Sequence, residues 1–277
     1  MNTFPTLHLN DGNTMPQFGL GTWQSPSDQV GLAVRTAIEA GYRAIDTATI
    51  YKNEAAIGEA LSEILLPRRQ LHITTKLWNS DQGYDTALKA FDASLARLRL
   101  EYIDLYLIHW PLPSHDKYVD TWKALVRLRQ EGRVKSIGVS NFTIAHLQRI
   151  IDETGLTPAI NQIELHPWFP QKSLRDYHAR KGIITESWSP IAQGGALLTD
   201  PGIVRIAQKH GRTPAQIILR WHIELGLVVI PKSVTPARIR ENFALFDFKL
   251  DADDLSAIAS LETGKRIGPD PDTFDMA

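Results

Sequence analysis

The sequence predicts a single (β/α)8 barrel domain over residues 1–277, with an N-terminal β-hairpin and two extra C-terminal helices. Three observations predict it. Eight short apolar runs of strand type alternate with amphipathic stretches along the 277 residues. The runs are apolar on both sides of the alternation, as parallel strands covered on both faces are. No Pro-, Gly- or Ser-rich linker and no charge block divides the chain, and α/β barrels run to ~250 residues as one domain. A doubly wound sheet is the competitor; it usually has fewer strands and, for nucleotides, a Gly-rich first turn. No G-x-G-x-x-G is present, and Gly19-Leu20-Gly21 leads instead into Thr22-Trp23-Gln24.

Taken in order, residues 7–9 and 14–15 flank the turn Asn10-Asp11-Gly12-Asn13 and read as a small hairpin. It is expected to plug the bottom of the barrel. The eight runs lie at 18–21, 42–46, 71–76, 103–109, 134–140, 159–162, 183–187 and 227–231. A helix over 27–40 ends at Gly41, a residue suited to the left-handed position past a helix. Between 82 and 99, Tyr84, Leu88, Phe91, Leu95 and Leu98 recur at spacings of 4, 3, 4 and 3, one stripe facing a core. A helix over 121–130 stops by Gly132 in the same way as the first. Thr213-Pro214 opens a helix over 215–224 with a cap and a proline at its first position. Residues 236–246 and 252–261 are the two extra helices, and the last dozen residues, rich in Asp, Pro and Gly, read as a surface tail.

Composition excludes several function classes. Thirty Lys and Arg against thirty-one Asp and Glu leave a formal charge of −1, which argues against a nucleic-acid stripe or a polybasic membrane patch. With no cysteine, disulfides, thiolate metal sites, iron–sulfur clusters and a Cys nucleophile are excluded, and a reducing cytoplasm is the expected compartment. Residues 1–12 lack a basic region followed by an apolar run, so no secretory signal is read. The longest apolar stretches, such as Leu227-Val228-Val229-Ile230, are strand-sized and far short of a membrane span. None of the nine histidines forms an H-x-x-x-H pair on a credible helix, so no metal site is expected. A monomer is the default expectation.

A barrel places chemistry at the C-terminal ends of its strands. The second run ends at Asp46, with Tyr51 five residues on; the third ends at Lys76 and the fourth at His109. Any one of these alone is ordinary, a solvated charge or a packed turn residue. Together, on three adjacent strands, they bring a carboxylate, a phenol, an ammonium and an imidazole to one mouth. That set suits proton donation to a carbonyl oxygen. Free tyrosine has a pKa near 10, so at neutral pH it is a plentiful but weak acid. A nearby ammonium stabilises phenolate and lowers that value. Asp46 would hold Lys76 charged and aimed, and His109 would orient the carbonyl. None of the four supplies a hydride, so a nicotinamide cofactor is implied.

Here the chain resembles the aldo-keto reductase superfamily along nearly its whole length. Gly41-Tyr42-Arg43-Ala44-Ile45-Asp46-Thr47-Ala48, with Tyr51, Glu54 and Gly58, is similar to the family's first signature. Gly138-Val139-Ser140-Asn141-Phe142 is similar to the second, and Ile230-Pro231-Lys232-Ser233 with Arg238 and Asn242 to the third. Within the superfamily the wording resembles the bacterial 2,5-diketo-D-gluconic acid reductases. The resemblance implies Asp46, Tyr51, Lys76 and His109 as a catalytic tetrad, with Tyr51 the acid. It implies NADPH extended across the mouth, with Ser140, Asn141 and Gln162 on the nicotinamide carboxamide and Trp188 stacked on the ring. It further implies Thr22, Trp23, Ser189, Pro190, Gln193 and Val234 as cofactor contacts.

Lys232, Ser233 and Arg238, at and near a helix N-terminus, form an anion site suited to a 2′-phosphate, which favours NADPH over NADH. Glu241 and Asn242, one turn on, are placed towards the adenine. Trp23, Trp78 and Trp110 follow the first, third and fourth runs and are expected to wall a substrate pocket with His109; Trp168 is a weaker candidate. Lys52 follows Tyr51 where the subgroup usually has Gly, and it either favours acidic substrates or points to water. The substrate is then a small aldehyde or ketone, such as a diketo-gluconate-like keto acid or methylglyoxal. Two other readings stay open: a Schiff-base aldolase using Lys76, and a non-catalytic NADPH-binding subunit on the same fold.

Overall fold

The computed structural model describes residues 5–276. Strands β1 (Thr6–His8) and β2 (Thr14–Pro16) pair antiparallel, with Leu7 opposite Met15. Then come β3 (Gly19–Gly21), α1 (Ser27–Ala40), β4 (Ala44–Asp46), α2 (Glu54–Ser62), β5 (His72–Leu77), α3 (Tyr84–Leu98), β6 (Ile103–Ile108) and α4 (Tyr118–Gln130). The chain continues through β7 (Val134–Ser140), α5 (Ile144–Thr154), β8 (Ile160–Glu164), α6 (Lys172–Lys181) and β9 (Ile184–Trp188). It ends with α7 (Pro201–His210), α8 (Pro214–Glu224), β10 (Val228–Val229), α9 (Pro236–Phe243) and α10 (Ala252–Ala259). No helix among the described residues is long and apolar enough to cross a membrane.

Strands β3 to β10 form one eight-stranded sheet in sequence order, parallel throughout. Parallel bridges from Phe18 to Val229 and from Gly21 to Lys232 bring its edges together into a barrel. Closure depends on Gly21: a Cβ there would lie 2.6 Å from the Ile230 carbonyl oxygen. The eighth run shrinks to Val228–Val229 because Pro231 has no N–H for the ladder, although its carbonyl still accepts from Gly21 N at 3.1 Å.

Both faces of the sheet are packed, as the apolar runs predict. On β6, Tyr106 and Ile108 join the large cluster beneath the helices. Leu105 and Leu107 join Leu9, Met15, Ile160 and Val228 in a separate cluster inside the barrel. The hairpin therefore fills the bottom of the barrel, and Asn10 and Asn13 fasten it to the carbonyls of Pro158 and Lys135.

Several local expectations shift by up to three residues, as at the start of α4 and the end of α9, and two need correcting. In α3 the buried stripe is Ala87, Phe91, Ser94 and Leu98, with Leu88 and Leu95 partly buried beside it. Tyr84 opens the helix at 41% exposure, outside that stripe. The second correction concerns the last dozen residues, which are not a free surface tail. Pro271 is buried, Phe274 lies 4.3 Å from the Trp110 ring, and Asn79 Nδ2 donates to the Met276 carbonyl at 2.6 Å. Proline and acidic residues suggest a solvated segment; here they carry the chain across the barrel mouth, with a turn over Asp270–Phe274.

Candidate active site

Asp46 is the last residue of β4 and Lys76 the fifth of β5, so both point from one mouth of the barrel. The Lys76 side chain is fully enclosed and donates to Asp46 Oδ1 at 2.5 Å and to the Thr47 carbonyl at 2.9 Å. Burial works to lower the Lys76 pKa, but Asp46 and Tyr51 outweigh it and raise the value, so the group stays an ammonium. The second oxygen of Asp46 accepts from Gln162 Nε2 at 2.9 Å. The carboxylate thus has a partner on each oxygen, as a buried charge requires.

Tyr51 closes a short 3-10 turn, Thr49–Tyr51, after β4. A buried amide fixes that turn: Asn53 accepts from Thr47 Oγ1 at 2.8 Å and donates to the carbonyls of Thr22 and Ser25. Lys76 Nζ lies 5.3 Å from the Tyr51 ring centroid. Burial pushes the phenol up to about 12, while Lys76 pulls it down and Asp46 raises it again. The pull of Lys76 has the expected direction, but desolvation exceeds it, so the phenol sits above its ordinary value rather than below. Lys52, next in the chain, takes a left-handed φ of 56°, a conformation in which glycine is at ease. Its side chain is exposed.

His109 follows β6, and its ring lies edge-on to Tyr51 at 5.7 Å and to Trp78 at 5.2 Å. Burial, and then Lys76, hold its pKa well below the usual imidazole value, so it is neutral at pH 7 and keeps one N–H to give. The four side chains expected on three adjacent strands therefore meet in one place.

The remaining expected positions divide. Ser140 and Asn141, at and just past the end of β7, and Gln162, in the middle of β8 and not at its end as expected, are all buried. Asn141 bonds the His109 carbonyl at 3.0 Å, and its Oδ1 receives Trp188 Nε1 at 2.8 Å, which fixes the half-buried indole. Thr22 gives its hydroxyl to the Asp46 carbonyl at 2.9 Å. Along 189–195, Ser189, Ala192, Gln193, Gly194 and Gly195 have positive φ, while Pro190 is buried and its carbonyl lies 3.1 Å from His222 Nε2. Lys232 and Arg238 are exposed and have no ion-pair partner among the described residues. Ser233 Oγ accepts from Thr235 N at 3.1 Å at the start of α9. Val234 is partly buried, Asn242 buried and Glu241 exposed.

Among the described residues the three tryptophans make no ring contact with one another. Trp78 stands against His109 and Trp110 against Phe274. Trp23 is 42% exposed and has no ring partner among the described residues. Trp168 packs near His166 and Lys265, on the tail's path.

Two buried carboxyls of the neighbouring strands β8 and β9 escaped the sequence reading. Glu164, the last residue of β8, accepts from Ile267 N at 2.6 Å and Gly268 N at 2.9 Å and lies 3.0 Å from His166 Nε2. Gly268 is held so close to Trp188 that a Cβ would meet its ring at 2.4 Å. Glu186, in the middle of β9, is fully buried. For Glu186 the one available signal was an acidic residue inside a run otherwise suited to a covered strand, whereas Glu164 lies two residues beyond its predicted run.

A parallel barrel with an ammonium, a carboxylate, a phenol and a neutral imidazole at one mouth defines an oxidoreductase of the carbonyl-reducing type. Residues 15–263 match the model of the Aldo/keto reductase family, and the chain belongs to that family. It is 59% identical over 272 residues to an aldo-keto reductase of Mycolicibacterium smegmatis, covering 98% of each chain. It is 57% identical over 272 residues to the methylglyoxal reductase DkgA of Salmonella typhimurium, again covering 98% of each. Among solved structures, a mutant of Gox0644 in complex with NADPH superposes with a TM-score of 0.95 at 50% identity, covering 99% of each chain.

Proposed function

We propose that this chain reduces the carbonyl group of small aldehydes and ketones, with hydride from NADPH and the proton from Tyr51. The carrying observation is the enclosed Asp46–Lys76 pair beside the Tyr51 phenol and the neutral His109 ring. When bound, NADPH supplies the hydride from C4 of its nicotinamide. Tyr51 holds the proton at Oη and releases it to the forming alkoxide. As negative charge grows on the phenol oxygen, the Lys76 ammonium stabilises it without reorganising, because Asp46 and the Thr47 carbonyl already hold that ammonium in place. His109 donates its remaining N–H to the carbonyl oxygen and orients it.

The residues present fit the cofactor. Two cations near the start of α9, unpaired among the described residues, suit a 2′-phosphate. Positive φ at Ala192, Gln193, Gly194 and Gly195 folds the segment after β9 into a tight loop, and its two glycines permit close backbone approach to a pyrophosphate. Trp188, braced by Asn141, offers a flat face for the nicotinamide. The Schiff-base reading loses ground, since Lys76 is sealed and held as an ammonium while a nucleophilic amine must be neutral and reachable.

The substrate class we favour is a small dicarbonyl or keto acid, in keeping with the likeness to a methylglyoxal reductase and with the aromatic surroundings of Trp78, Trp110 and Phe274. The same reading takes the chain as a single-domain, monomeric, cytoplasmic enzyme.

The test is Tyr51→Phe, assayed by NADPH oxidation over methylglyoxal, diketo acids, keto esters and aromatic aldehydes. The expected loss in kcat is about 10²–10⁴-fold, the usual contribution of a positioned proton donor, with NADPH affinity nearly intact. Wild-type turnover in the variant would remove Tyr51 as the acid.

A further inference from the structure

Inside the barrel, the inner faces of β8 and β9 carry one group that the mechanism above leaves unused. On β9, Thr185 meets His178 of α6 and Ser187 meets His222 of α8, so both point outward to the helices. Glu186, between them, must point inward. On β8, Asn161 also reaches His178, so its neighbour Gln162 points inward and lies level with Glu186 in the register. Across the second register line Glu186 faces only Val228, part of the apolar floor.

Around the one ammonium, Lys76, stand two carboxyls, Asp46 and Glu186; Glu164, two residues beyond Gln162, is tied instead to Ile267 N, Gly268 N and His166. Asp46 takes the Lys76 bond on one oxygen and the Gln162 amide on the other. Among the described residues neither oxygen of Glu186 has a hydrogen-bond partner at normal geometry, because the Gln162 amide beside it gives its Nε2 to Asp46, and the residue has no exposure. One buried cation can neutralise one carboxylate; a second, bare one would cost several kcal/mol, and such a group keeps its proton instead.

We propose that Glu186 is a positioning residue for Tyr51: carried as the neutral acid, it leaves the Asp46–Lys76 pair balanced, and its ionisation at alkaline pH weakens Tyr51 as a proton donor. The inference rests on the reading of Tyr51 as the acid. The charged and titratable groups that face Glu186 are Asp46 from β4, Lys76 from β5 and Tyr51 from the turn after β4, while β8 offers the neutral Gln162 and β10 the apolar Val228. Burial pushes the Glu186 carboxyl up to about 8; Asp46 adds to the rise, and Gln162 and Lys76 work against it. An ionised Glu186 in turn raises the Tyr51 pKa. A weaker acid transfers its proton more slowly, so reduction declines as pH passes through the Glu186 value.

The experiment compares kcat against pH for wild type and Glu186→Gln, each saturated with NADPH. Wild type loses turnover through a midpoint of about 8, and in the variant, whose residue 186 cannot ionise, that decline moves up by about one pH unit or more. A variant profile that superimposes on wild type would overturn the proposal. A second measurement needs no variant: infrared titration of the NADPH-loaded wild type bearing isotope-labelled glutamate. The expected result is a protonated carboxyl band at neutral pH that is lost across the same midpoint. A carboxylate signal alone at neutral pH would refute the neutral acid, whatever Tyr51 does. Retained turnover in Tyr51→Phe would sink the acid assignment while leaving the infrared result standing.

Discussion

Replacing Glu164 by Ala tests whether one buried carboxylate holds the C-terminal segment over the active-site mouth. Glu164 is 1% exposed and accepts two backbone N–H bonds, from Ile267 at 2.6 Å and Gly268 at 2.9 Å. Hydrogen bonds to a charged group contribute about 1.5–3 kcal/mol each. Taking the low end for both, because the freed amides rehydrate, the loss is about 3 kcal/mol, or roughly a 150-fold rise in the open population. The far end of the segment keeps its own anchors, Ser114 to Asp275 at 2.6 Å and Asn79 to Met276 at 2.6 Å. Opening is therefore confined to the stretch around 263–270. Hydrogen exchange reads it directly: amides of that stretch should exchange about two orders of magnitude faster, with helix α1 as the unchanged internal control. Trp188, no longer covered by Gly268, should shift its fluorescence to the red. If the stretch exchanges at the wild-type rate in a folded variant, Glu164 is not the anchor.

Arg238→Ala should weaken NADPH binding by about 10–100-fold, the worth of one charge-assisted phosphate contact, and leave NADH binding nearly unchanged; fluorescence titration with both cofactors decides, and equal losses would remove the 2′-phosphate assignment. Stability should also fall in mild acid. Burial depresses His72 to about 4 and His178 and His222 to about 3. Above the ordinary value of 6.5 neither state takes up these protons, so the contribution of the three neutral rings is complete. Below it only the unfolded chain binds them, and stability drops by ~1.4 kcal/mol per pH unit for each histidine, ~4 for the three, until the folded values are reached. Melting curves at pH 7 and 5 provide the check, and a constant melting temperature would contradict it.

Much of this molecule was legible because its patterns are local. Eight covered strands, the caps at Gly41 and Thr213, and the strand-end positions of Asp46, Lys76 and His109 all follow from alternation and spacing. What escaped depends on geometry that sequence does not carry. Tyr84 falls outside its helix's buried face because helix ends diverge from the core they flank. Glu186 looks like a polar interruption until strand parity and register turn it inward beside Asp46. The net rise of the Tyr51 pKa is a contest between burial and one cation, and motif spacing reveals only the cation. The polar C-terminal residues look solvated because their partners, Glu164 and Trp110, lie over 100 residues away in sequence.

The two ends of the described chain close opposite openings of the same barrel, β1–β2 below and the stretch through Phe274 above. This asymmetry governs how the molecule is handled. An affinity tag ahead of residue 5 hangs from the face that carries no chemistry. One joined after residue 276 leaves from a carbonyl bonded to Asn79, next to Trp78, so purification handles, surface tethers and fusion partners belong at the front of the chain.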